Sequence, residues 1–185
     1  MKKTLLKIFC VLVIAFVFFF GTNAVVHTTS KNEFCSVCHE WMKPMVQAYA
    51  KDVHGGANKF GVSAQCVDCH LPQDSYVKYV FQKAINGASE ISHMVFNDAK
   101  DAKWQENRAN REKFVYNSGC VKCHTNILEL NSTNQNMLDM HKIYIEKNNL
   151  KKDSVSCVSC HKTVGHKNLG KVLFEIKNPP VGDWE

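Results

Sequence analysis

The sequence is poor in the material of an ordinary core. Apolar residues make up 45% of its 185 positions, which excludes a disordered polar chain, but the 11 phenylalanines cluster partly at the N-terminus and leave the remainder lean. No stretch alternates as a half-buried strand would, so the reading is mainly α. Acidic residues are in deficit, 17 against 23 basic ones, and the net charge of +6 by itself suggests nucleic acid or anionic lipid. The length allows one domain, or one small domain with an anchor. Cysteine is the exception to this scarcity. Nine is about twice the ordinary share, yet short of a disulfide scaffold.

Lys2, Lys3 and Lys7 precede an uninterrupted apolar run, residues 8–20, followed by Gly21-Thr22-Asn23-Ala24-Val25-Val26. One reading is a cleaved signal peptide with small residues at Thr22 and Ala24. The other is an uncleaved anchor, residues 8–26, whose helix of about 28 Å nearly spans a hydrocarbon core. Both keep the lysines in the cytoplasm and export the chain beyond residue 26.

Eight of the nine cysteines belong to one pattern that occurs four times: Cys35-Ser36-Val37-Cys38-His39, Cys66-Val67-Asp68-Cys69-His70, Cys120-Val121-Lys122-Cys123-His124 and Cys157-Val158-Ser159-Cys160-His161. Only Cys10 stands outside it. Two thiols at this spacing can add to the two vinyl groups of one haem, and the adjacent histidine then reaches the iron. Zinc clamps use paired cysteines but do not need a histidine after each pair. Histidine is 9 of 185 residues, so its fourfold recurrence at this place is not chance. Redox dithiols rarely come in fours, and export matches the compartment of haem c attachment. The chain reads as a cytochrome with four covalent haem c groups.

That reading changes the charge argument. Each haem carries two propionates, net −1 when ferric and −2 when ferrous, so four bring a +6 chain to between about +2 and −2. Nucleic-acid binding loses its support. Roughly 40 residues per haem also explains the lean core, because the macrocycles supply buried apolar surface that a small domain lacks.

Five histidines lie outside the motifs: His27, His54, His93, His141 and His166. Low-spin haems need a second axial ligand, and His54, His141 and His166 are the candidates. His54 precedes Gly55-Gly56, where missing side chains would let a porphyrin approach the backbone. His141 shares a face with Met137, Tyr144 and Ile145 in a helix expected over 133–148. His166 is five residues from His161, too close to clamp the same iron, and therefore belongs to another haem. His27, at the membrane exit, reads as interfacial. After Pro72, with Asp74 or Ser75 as N-cap, an amphipathic helix carries Val77, Val80, Phe81, Ala84, Ile85, Ala88, Ile91 and Val95 on one stripe. Tyr76, Tyr79, Lys83 and Glu90 form another, with His93 close to it; such a stripe is ordinarily a solvated face. A second helix, 101–116, bears Trp104, Arg108, Arg111 and Phe114, suited to an interface or to propionates.

Taken together, these features resemble the NapC/NirT family of membrane-anchored tetrahaem cytochromes. The resemblance rests on the basic N-terminus and apolar segment, the first motif close behind, Asp52-Val53-His54, Cys69-His70-Leu71-Pro72, the long helical gap and Val164-Gly165-His166. It implies an uncleaved anchor (1–26), a periplasmic tetrahaem domain (27–185), and a single-pass protein of the inner membrane. It also implies a methionine ligand for haem 1. In His39-Glu40-Trp41-Met42-Lys43-Pro44-Met45 the methionine comes one residue late, which makes Met42 the choice and leaves Met45 and His39 open. His70, His124 and His161 are the proximal ligands of the other three. In the family a lysine and an acidic residue seven apart contribute to a quinol pocket, and Lys83 and Glu90 match, with His93 as proton relay or haem ligand.

The function so implied is a quinol dehydrogenase of anaerobic respiration, taking electrons from menaquinol or another quinol to a periplasmic terminal reductase or cytochrome, with membrane lipid as a further partner. The alternative is a soluble periplasmic tetrahaem shuttle with a cleaved signal peptide. A reductase working at an open iron is disfavoured, because the spare histidines can close most sites.

Overall fold

The computed structural model describes residues 2–37, 42–97, 102–129, 132–149 and 155–179. Among these residues there are helices and turns but no strand. Helix α1, Lys2–Thr28, runs for 27 residues, about 40 Å, with no residue buried. It is long and apolar enough to cross a membrane. It also continues without a break through Thr22 and Ala24, the small residues of the cleavage-site reading. Thr22 Oγ1 and Asn23 Nδ2 donate to the carbonyls of Phe18 and Phe19, at 2.7 and 2.9 Å. The two polar groups that weigh against an anchor are thus satisfied by the helix itself, as a hydrocarbon environment requires.

The remaining helices are shorter than α1, the longest of them having 21 residues. They are α2 (Phe34–Val37), α3 (Lys43–Ala50), α4 (Cys66–His70), α5 (Tyr76–Phe96), α6 (Trp104–Ala109), α7 (Asn117–Cys123), α8 (Gln135–Asn149), α9 (Cys157–Cys160) and α10 (Leu169–Lys177). Pro44 opens α3, where its missing N–H costs nothing. The expected helix over 101–116 breaks at Asn110, which caps α6 and turns its side-chain amide back to the Glu106 carbonyl; a single 3₁₀ turn, Arg111–Lys113, comes next. Residue 101 lies outside the described residues, as do Cys38 and His39.

The core among the described residues is as thin as the composition suggests. Its buried apolar side chains are Ala48, Tyr49, Leu71, Val158, Leu169 and Val172. Ala48 of α3 meets Leu169 and Val172 of α10, with Met45, Trp104 and Leu173 around them. The C-terminal helix is therefore held against the segment just after the first motif. Most of the α5 stripe is exposed, including Val77, Phe81, Ile85, Ile91 and Val95.

Candidate haem centres

Each cysteine pair outside the first motif lies within a short helix of its own, α4, α7 or α9. The motifs adjoin in chain order. The Cys35 thiol lies beside that of Cys66, and the Cys120 thiol beside that of Cys157. Motifs two and three meet where Tyr116 N donates to Cys69 O at 2.9 Å and Lys122 pairs with Asp68 at 3.3 Å. That approach needs Gly119, because a Cβ there would stand 1.8 Å from the Asp68 carbonyl oxygen.

The histidines form three facing pairs. Ring centroids are 6.2 Å apart for His54 and His124, 6.3 Å for His70 and His166, and 6.3 Å for His141 and His161. With metal–imidazole bonds of about 2 Å on either side, two rings sharing one metal place their centroids about 6 Å apart. All three separations fit one iron between the rings. Each pair contains one motif histidine, and two of them join distant parts of the chain: His54 reaches the third motif and His166 the second, whereas His141 serves the next motif along the chain.

The ring nitrogens are held as ligands need to be. His70 Nδ1 lies 2.9 Å from the Phe114 carbonyl oxygen, and His141 Nδ1 lies 2.8 Å from that of Met137. His54 Nδ1 lies 3.3 Å from the Asp52 carboxylate, which also accepts from His54 N. Such contacts fix a ring's orientation and leave Nε2 for a metal. Burial pushes the His70 ring below the usual histidine range and His166 down to about 4, the latter helped by His70 opposite. Both are thereby kept in the neutral form that binds metal. His166 Nδ1 is buried without a hydrogen-bond partner. No group of three or more His, Cys, Asp or Glu side chains that could hold a metal ion gathers among the described residues.

Several details have no signal in the local sequence. Asp52, noted in the sequence only as part of Asp52-Val53-His54, is buried and orients His54. Gly55 and Gly56 are also required by the chain's own backbone. A Cβ at Gly55 would meet the Tyr49 carbonyl oxygen at 1.9 Å, and Gly56 adopts φ +104°. The glycines serve the chain's own turn. Arg111 donates through Nε to the Val158 carbonyl at 2.6 Å and so braces the fourth motif.

Near the first motif, Met45 packs against the Ala48, Leu169 and Val172 cluster, while Met42 precedes α3, half-buried. Lys83 Nζ donates to Thr29 O at 2.9 Å and to Ser30 Oγ at 3.2 Å, at the end of α1. It also lies within electrostatic range of Cys35, and burial lowers its pKa. Tyr79 shares a 2.7 Å hydrogen bond with Ser30, and Tyr76 donates to Asn23 at 2.8 Å. Three successive turns' worth of α5 side chains thus fasten that helix to the end of α1. Glu90 and His93 are exposed farther along α5, and His93 Nδ1 accepts from Asn97 at 2.9 Å. Exposed His27 lies in the last turn of α1.

Comparison with known proteins identifies the family. The family model for the N-terminal region of the NapC/NirT cytochromes c matches residues 1–171. The chain is 35% identical to the tetraheme c-type cytochrome CymA of Shewanella oneidensis, over 84% of this chain and 86% of that protein. It is 30% identical to the denitrification system component NirT of Stutzerimonas stutzeri, over 84% and 77%, and 29% identical to the cytochrome c-type protein NapC of Escherichia coli, over 82% and 76%. No solved structure matches the chain.

Proposed function

This chain belongs to the NapC/NirT cytochrome c family and is a membrane-anchored electron-transport protein with four covalent haem c groups, and we propose that it oxidises menaquinol or another quinol and delivers the electrons to a periplasmic terminal reductase or cytochrome. In this reading residues 1–26 are the cytoplasmic tip and the anchor, and residues 27–185 form the tetrahaem domain on the periplasmic side of the inner membrane. The three N-terminal lysines support that orientation. The names of the relatives, a tetraheme c-type cytochrome and a denitrification system component, support a respiratory role.

Bound haem c supplies a one-electron acceptor whose potential follows its axial ligands. The residues that would hold the four groups are Cys35 with Cys38, Cys66 with Cys69, Cys120 with Cys123, and Cys157 with Cys160. His70 with His166, His124 with His54, and His161 with His141 would be the axial pairs. For haem 1, the packing of Met45 into the α3–α10 core favours Met42 as a ligand, with His39 as the alternative.

The observation that carries the quinol reading is the ammonium of Lys83, held at the membrane exit beside the first motif. A positive charge there can hold a quinol oxygen. Oxidation also releases two protons, and Glu90, about 10 Å farther along the same helix, is a base to receive them. His93, one turn on, can relay a proton through its second ring nitrogen. The exposed apolar stripe of α5, on a helix fastened to the end of the anchor, is suited to contact lipid.

The test is to mix the full-length holoprotein in detergent with menaquinol and follow haem absorption. Reduction approaching that by dithionite is expected, and no reduction overturns the quinol reading. The soluble shuttle requires haem protein in the soluble fraction and a mature N-terminus near Val25. Haem that stays in alkali-washed membranes removes it.

A further inference from the structure

Asn32 and Asn117 share two side-chain contacts in two places, and Asn117 adds hydrogen bonds to the Tyr144 hydroxyl at 3.2 Å and from Ser156 Oγ at 2.9 Å. Each stands three residues before the first cysteine of a motif, Cys35 or Cys120. Each turns its side chain away from its own motif and onto the next one. Asn32 Oδ1 accepts from Cys66 N at 2.7 Å, and Asn117 Oδ1 accepts from Cys157 N at 2.9 Å. The other half of the amide repeats too: Asn32 Nδ2 donates to Ala64 O at 3.4 Å, and Asn117 Nδ2 to Val155 O at 3.5 Å, each two residues before the contacted cysteine. Both asparagines are half-buried.

The contact has a local reason and a distant consequence. Cys66 and Cys157 begin helices of five and four residues, whose first N–H groups have no partner within the helix. An asparagine from the preceding motif supplies the acceptor, so each short helix is capped from outside. A planar amide that bonds at both its ends fixes the approach of two backbone segments in distance and direction. The thiols it brings together, Cys35 with Cys66 and Cys120 with Cys157, are the first attachment points of successive haems. Motifs two and three meet by other means, the backbone bond from Tyr116 and the Lys122–Asp68 ion pair.

We propose that Asn32 and Asn117 are positioning residues that set the mutual placement of haems 1 and 2 and of haems 3 and 4, respectively, through the side-chain carbonyl that caps the next motif. This rests on the haem assignment above, but it does not depend on quinol as the electron donor.

The test uses the full-length holoprotein with Asn32→Ala, Asn117→Ala and the two corresponding Asn→Asp variants. Haem content is read by pyridine haemochrome, and magnetic coupling between haems by electron paramagnetic resonance. Alanine at 117 is expected to change the coupling of haems 3 and 4 and leave haems 1 and 2 as in the wild type; alanine at 32 is expected to do the reverse. Aspartate keeps the short Oδ1 bond and loses the long Nδ2 one, and at 117 the Tyr144 hydroxyl, which meets Nδ2 at 3.2 Å, can donate to the carboxylate instead, so aspartate is expected to restore the wild-type spectrum. If an alanine variant loses haem, the aspartate variant decides: four haems with wild-type coupling supports the proposal, and haem loss overturns it. Alanine and aspartate variants that behave alike, both unchanged or both disturbed, also overturn it. A failure of quinol oxidation in the wild type leaves these spectra untouched, so the two readings fail separately.

Discussion

His70 and His166 face each other at 6.3 Å between ring centroids, although one closes the second motif and the other lies beyond the fourth. One metal between them would tie the C-terminal segment to the middle of the chain, much as a cross-link closes a long loop. Replacing His166 with Met is expected to exchange a nitrogen ligand for a thioether and raise the potential of one haem. His54→Met and His141→Met are expected to do the same at the haems of motifs three and four, and substitution of exposed His27 to do nothing. Electron paramagnetic resonance of each variant is the check. An unchanged low-spin spectrum for His141→Met would show that this ring is only packed.

Asp52 acts one step farther from the metal. Its buried carboxylate caps His54 N and faces His54 Nδ1, an arrangement that makes an imidazole a stronger donor. Asp52→Asn keeps the size and the backbone contact but removes the charge. Ferric iron, which gains more from a strong donor than ferrous iron does, is then held less well. The potential of the haem at motif three is expected to rise, by about 59 mV for each tenfold change in relative affinity. Potentiometric titration gives the result, and a potential unmoved in Asp52→Asn would reduce this carboxylate to a cap.

How far the sequence reaches can be judged from particular residues. Helix α5 was readable because its stripe repeats at helical spacing behind Pro72, and Ser75 does precede it. The apolar run of α1 was readable for the same kind of reason. The longer helix expected over 101–116 was not, because Asn110 turns its amide back to Glu106, a local competition that periodicity does not register. The four motifs announce the haems, yet nothing near His54 or His166 says which motif each one faces. Those pairings are long-range, set by turns such as the one that Gly55 and Gly56 allow. Asn32 and Asn117 were invisible for a further reason: an asparagine three residues before a motif has meaning only when the next motif is beside it.

Two glycines separate close packing from mere tolerance. At Gly119 a Cβ would fall 1.8 Å from the Asp68 carbonyl, within the contact of α4 and α7, and the obstacle is backbone. Gly119→Ala is expected to push the second and third motifs apart and lower stability by about 3 kcal/mol or more, the upper end for overpacking. Gly87, within α5, has nothing within 4 Å of an added Cβ. Gly87→Ala is expected to stabilise by about 0.5–1 kcal/mol through helix propensity. Thermal unfolding of the two holoproteins gives the comparison, and a Gly119→Ala variant with a wild-type Tm would mean that the motifs do not pack as described.

The proposed quinol pocket depends on Lys83 and Glu90. Oxidation at the membrane face requires a site beside the bilayer, a haem within reach and a group to take the protons. Lys83 meets the first two conditions through Thr29, Ser30 and Cys35, and its tie to the end of α1 gives it a structural role as well. Glu90 stands two turns away along the same helix. Glu90→Gln keeps the size and hydrogen bonding of the side chain but removes the base, whereas Lys83→Ala removes the charge. Both variants are expected to retain four haems and remain reducible by dithionite, since neither residue belongs to a haem motif. Reduction by menaquinol is expected to fall on the order of 10²–10⁴-fold in Glu90→Gln, the usual loss for one general base. In Lys83→Ala most of it should be lost. Stopped-flow absorption in detergent measures both. Wild-type rates in the two variants would make this stripe a plain solvated helix face and move the pocket elsewhere, and loss in Lys83→Ala alone would leave the charge in place but remove Glu90 as the base.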